Sequence, residues 1–68
     1  MSIKLALVQH NRPGFYVTLV EVPSTFTPSQ ELQLRYDVAR EFEMTDNDGE
    51  FLVIENGNVI DRRQIPRF

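Results

Sequence analysis

Asn56-Gly57 lies between two apolar runs, Phe51–Ile54 and Val59–Ile60, and no other dipeptide constrains this chain as strongly. Both residues tolerate the positive φ that the two central positions of a type I′ turn require. A hairpin is therefore expected there, with Ile54 facing Val59, Val53 facing Ile60, Leu52 facing Asp61 and Phe51 facing Arg62. Arg62 and Arg63 would then point to opposite faces, because side chains alternate along a strand.

A second hairpin is expected at the N-terminus. Ile3, Leu5 and Leu7 alternate with Lys4, Ala6 and Val8, and a period of two marks a strand. Pro13-Gly14 has type II turn chemistry: a preset φ followed by a residue that accepts positive φ. The β-branched and aromatic run Phe15–Val22 reads as the returning strand. Its pattern puts Phe15, Val17 and Leu19 on one side and Tyr16, Thr18, Val20 and Val22 on the other. Pro23 cannot donate to a ladder and stops it.

Between the hairpins, Thr27-Pro28 with Gln30 three residues on has the form of a capping box with proline in the first turn. The helix should run from Pro28 to Phe42 or Glu43, where the turn-forming stretch from Thr45 to Gly49 ends it. The order ββαββ predicts an α+β fold: a four-stranded antiparallel sheet of two hairpins with one helix packed on one face, in a single small globular domain of residues 1–68. The expected core is Leu5, Leu7, Val17, Leu19, Leu32, Tyr36, Ala39, Phe42, Val53 and Ile60.

The helix has apolar residues in two rows, Leu32–Tyr36–Ala39 and Leu34–Val38–Phe42, with Glu31 and Arg35 between them. A helix on one side of a sheet needs little more than one such row. The surplus is met either by the segment Val22–Pro28, partly enclosing the helix, or by another chain, a target or a twin subunit, seated on Leu34, Val38 and Phe42.

With 68 residues and no cysteine, the chain has a thin core and no disulfide or thiolate metal site to support it. Tight packing or oligomerisation must serve instead. No stretch approaches the ~20 apolar residues that span a bilayer, and no signal-peptide cleavage pattern follows the first apolar run. A cytoplasmic location is expected.

The net charge is −3, unevenly spread. Glu41, Glu43, Asp46, Asp48, Glu50 and Glu55 fall in one stretch without a base, whereas Arg62, Arg63 and Arg67 crowd the C-terminus. The acidic stretch suits electrostatic steering to a protein partner. The arginines either pair with Glu50 or Glu55 across the hairpin, while Ile65 and Phe68 close the core, or they grip a partner. Joined by Lys4 and Arg12, they could bind a nucleic-acid backbone, although an acidic chain is poorly suited to that.

Catalytic signals are sparse. His10 beside Arg12 is one acid–base group without a second, and only a ribonuclease would use that pair. The acids around Asp46–Glu50 miss the spacing of a calcium loop. The three glycines are all expected at turns. No enzyme, metal or cofactor is expected. The reading is a non-enzymatic protein-binding module, comparable in size and acidity to phage or mobile-element accessory proteins that inhibit a host protein or nucleic-acid-handling complex. Its contact residues would be Leu34, Val38, Phe42, the six acids and the three C-terminal arginines. The alternatives are a homodimeric structural or regulatory protein and a nucleic-acid binder.

Overall fold

The computed structural model describes residues 3–12 and 14–67. Five elements follow in the order β1 (Ile3–Gln9), β2 (Tyr16–Val22), α1 (Pro28–Glu41), β3 (Gly49–Glu55) and β4 (Asn58–Gln64). The strands form one antiparallel sheet in the order β2-β1-β3-β4. This is the expected α+β arrangement: the two hairpins join through their inner strands, β1 and β3, and α1 lies on one face. The Cα extents are 31 × 27 × 16 Å, a flat body of two layers.

The turns form as their residues dictate. Asn56 and Gly57 take φ of 53° and 79°, both positive as a type I′ turn demands. Gly14 has φ of 92°, and Pro13, the other half of the expected first turn, lies outside the described residues. Thr27 caps α1: its hydroxyl accepts from the Gln30 N–H at 3.3 Å, and the Gln30 side chain accepts from the Thr27 N–H at 2.8 Å.

The helix stops earlier than expected, at Glu41, and the stretch Thr45–Gly49 is not what ends it. Glu43 adopts φ of 54°. Its N–H donates to Arg40 O at 3.1 Å and the Met44 N–H to Ala39 O at 2.9 Å. That pair of bonds is the Schellman closure, made here without the glycine that usually occupies the left-handed position. Met44 then folds under the helix end and is buried.

A β-bulge in each hairpin changes which side chains share a face. β1 and β2 slip between Leu7 and Val8, so that Leu7 pairs with Thr18 and Val8 with Tyr16, leaving Val17 as the extra residue. β3 and β4 slip between Val53 and Ile54, so that Val53 pairs with Asp61 and Ile60 is extra. The expected partners beyond Ile54–Val59 are thus one residue out. Leu52 faces Arg62 and Phe51 faces Arg63. One inserted residue moves every later side chain to the opposite face, so Asp61 and Arg63 come under the helix.

The core between sheet and helix is Leu5, Leu7, Val22, Val38, Ala39, Met44, Phe51, Val53 and Ile65, with Ile3, Val17, Val20 and Leu34 packed against it. Four expected core residues, Leu19, Leu32, Phe42 and Ile60, are instead exposed. For Leu19 the reason is register: Val20 and Val22 occupy the helix side of β2, and Leu19 pairs with Ala6 on the other side. Gly49 is a strand residue rather than a turn residue. A Cβ there would overlap the Val8 carbonyl oxygen and come within 2.7 Å of Met44 Cε, so glycine is what lets β3 close against β1 at that point.

Candidate functional site

The expected contact row on α1 faces inward. Val38 is buried, and Leu34 packs against the core. Phe42 is 41 % exposed, beyond the last turn of the helix. The sheet receives the sector centred between the two apolar rows and takes one side chain from each, Val38 and Ala39. Glu31 and Arg35 lie in that sector and find partners there. Arg35 Nε is 2.9 Å from Glu31 Oε1, a charge contact without hydrogen-bond alignment. Arg35 also donates to the Gln64 carbonyl at 2.8 Å. Arg63 reaches Glu31 at 3.9 Å and pairs with Asp61. Two arginines and two acids thus join α1 to β4, and the bulge at Ile60 turns the β4 members toward the helix.

Each C-terminal arginine lies beside a carboxylate of its own chain, although Arg62 and Arg67 stay largely exposed. Arg62 lies 3.7 Å from Glu50, and Arg67 contacts Asp46 at 2.5 Å. Arg67 and Arg63 hold the carboxyls of Asp46 and Asp61 below the usual carboxylate range, chiefly through their hydrogen bonds, and each arginine is raised in return. Ile65 is buried in the core, which matches the first of the two alternatives for that segment. Phe68 lies outside the described residues.

The acidic stretch does not form one strip. Glu41, Glu43, Asp46 and Asp48 cluster where α1 ends and β3 begins, Glu50 lies on the sheet, and Glu55 lies at the far end of β3 beside the Asn56-Gly57 turn. Asp48 accepts from the Thr45 N–H at 2.8 Å and from its hydroxyl at 3.1 Å, which fixes the turn into β3. His10 is exposed at the end of β1, and its backbone N–H donates to Asp48 O at 3.0 Å. Lys4 lies on the sheet face that also carries Arg62, two strands away, and Arg12 lies in the first hairpin loop.

Part of the surplus apolar surface is on the sheet; Phe15, Phe26, Leu32 and Phe42 are exposed elsewhere. Three cross-strand rows make up the face turned away from α1, read from β2 to β4: Glu21–Lys4–Ile54–Val59, Leu19–Ala6–Leu52–Arg62, and Tyr16–Val8–Glu50–Gln64. Ala6 is fully buried and Val8 and Ile54 nearly so, although no helix covers them. Taller neighbours on the same face shield them, and those neighbours are left half exposed: Leu19 at 46 %, Tyr16 at 49 % and Val59 at 51 %. Lys4, Tyr16, Leu19, Ile54, Asn56 and Gly57 border a shallow hollow of about 420 Å³.

A larger hollow of about 650 Å³ lies between the end of α1 and the C-terminal segment, over Ala39, Met44 and Ile65. Arg67 at its mouth is already committed to Asp46. The apolar sheet face is therefore the stronger candidate for contact. The sequence holds a sign of it: Leu5-Ala6-Leu7-Val8 and Phe51–Ile54 are unbroken apolar runs, the pattern of strands buried on both faces.

No known family, characterised protein or solved structure matches this chain. Among the described residues, no helix is long and apolar enough to cross a membrane.

Proposed function

We propose that this chain is a non-enzymatic protein-binding module whose contact surface is the sheet face opposite α1. One observation carries the reading: the inner strands β1 and β3 bear apolar side chains on both faces, but the fold covers only one. Leu19 and Tyr16 lie together on β2 and stay half exposed, as does Val59 across the sheet on β4; exposed apolar groups gathered on one face mark places where something docks. Lys4 and Glu21 at one corner and Glu50 with Arg62 at another give it the polar rim of a protein contact. Arg62, Arg63 and Arg67 each face a carboxylate of their own chain, which weakens the case for a phosphate-binding surface. No residue in this face selects an inhibitory role or a host target over other protein partners.

Site-specific photo-crosslinking tests the proposal. A benzophenone side chain at Leu19 or Val59 should form adducts with a protein that mass spectrometry identifies. The same probe at Gln33, on the exposed side of α1, should not. Adducts from position 33 with none from 19 and 59 would overturn the assignment.

A further inference from the structure

We propose that the hollow at the corner where β1, α1 and β3 meet binds a neutral saccharide ring stacked on Phe42. The inference is independent of the docking face on the sheet.

Three chain segments build the corner. His10 and Asn11 follow the end of β1, Phe42 and Glu43 follow the end of α1, and Asn47 and Asp48 lead into β3. They border a hollow of about 460 Å³ with the buried Met44 among its walls, a size within the range of small-molecule sites. Backbone bonds fix the walls relative to one another. The His10 N–H donates to Asp48 O at 3.0 Å, and the Asp48 carboxylate accepts from the Thr45 N–H at 2.8 Å. The left-handed Glu43 and the bonds that close the helix hold Phe42 in place beyond its last turn. A corner held this way loses little freedom when it is filled.

The walls carry the chemistry that a sugar needs. Phe42 is 41 % exposed and borders the hollow. The face of an aromatic ring is negative, and the C–H groups along one side of a pyranose are weakly positive, so the two stack. Around Phe42 stand His10, Asn11, Glu43 and Asn47. Among the described residues, none of these four side chains has a hydrogen bond or an ion pair. Each amide offers two donors and an acceptor oxygen, the imidazole donates and accepts, and the carboxylate accepts. Sugar hydroxyls donate and accept in turn, and such a mixed set can meet several of them at once.

Charge narrows the class of ligand. The two acids that line the hollow are Glu43 and Asp48, and no lysine or arginine lines it. Two carboxylates repel a phosphate or another carboxylate, which disfavours a nucleotide even though its base could stack on Phe42. Among the described residues, no group of three or more His, Cys, Asp and Glu side chains could hold a metal ion. A neutral, hydroxyl-rich ring fits both the charge and the donors.

Amide NMR spectra of the full chain test this. Glucose, galactose, mannose, N-acetylglucosamine and adenosine are each titrated to about 50 mM, which spans the millimolar affinity expected for an open site and a small ligand. At least one sugar should shift the amides of His10, Glu43 and Asn47. Phe42→Ala, at an exposed position, should keep the native spectrum elsewhere and weaken that sugar about five-fold through lost stacking. Asn47→Ala should weaken it about three-fold through a lost hydrogen bond, and it carries the same test if Phe42→Ala perturbs the fold. Leu32→Ala, exposed elsewhere on α1, should leave the titration unchanged. Binding of adenosine with no sugar bound overturns the choice of ligand. No shift from any sugar, or shifts that avoid the corner or persist undiminished in both corner variants, overturns the site.

Discussion

Gly49→Ala should be among the most damaging single-methyl changes available to this chain. The added Cβ meets the Val8 carbonyl oxygen, which is backbone held in the β1–β3 ladder, and the flexible end of Met44. The methionine can move aside, but the carbonyl can move only if the strands part. Overpacking a rigid site costs about 1–3 kcal/mol and occasionally more. Replacing glycine returns about 0.4–1 kcal/mol through the unfolded chain. At the top of that range the net loss is about 2 kcal/mol, which corresponds to a fall in Tm of roughly 8–16 °C for a domain of this size. Urea unfolding followed by circular dichroism measures it directly. Introducing the same change in a Met44→Ala background separates the two obstacles: the loss due to alanine at 49 should persist, because the backbone oxygen is still there. A variant within about 0.5 kcal/mol of wild type would refute the close approach. Full recovery in the Met44→Ala background would shift the blame to the side chain.

Other consequences follow from the same contacts. Glu43→Gly should raise stability by about 0.5–1 kcal/mol, since glycine takes the left-handed position of the helix stop without Cβ strain; thermal melts would show it. Glu31→Gln removes the acid shared by Arg35 and Arg63 and should cost about 1–2 kcal/mol, well below the figure for a fully buried pair because water reaches this cluster. Asp46 and Asp61 have folded pKa values depressed by their arginines, so the stability they contribute is present above the unfolded carboxylate range and is lost as pH falls through the lower, folded values. Melting curves should decline more steeply below about pH 4 in the wild type than in an Asp46→Asn, Asp61→Asn double variant.

Local chemistry made the elements legible. Asn56-Gly57, the Thr27–Gln30 box and Pro23 each act within a few residues, and each does what its side chains require. The faces were harder to read, because one extra residue at Val17 and another at Ile60 invert them and neither residue type announces a bulge. That slip hid the partnership of Arg63 with the helix and misplaced Leu19. The helix presented a different problem. Its apolar sector is wide enough that two orientations look equal by periodicity. Glu31 and Arg35 lie partly buried in the sector that meets the sheet, where β4 supplies Arg63 and the Gln64 carbonyl as partners. The excess of apolar surface was legible, and its distribution was not: Leu32 and Phe42 keep part of it on α1, and Leu19, Tyr16 and Val59 carry another part on the open face of the sheet.

Photo-crosslinking from the two sides of the molecule tests the central claim most directly. Protein adducts from probes at Leu19 and Val59, with none from Gln33 on the exposed side of α1, are the predicted result. Adducts from position 33 alone, or none anywhere, would contradict it.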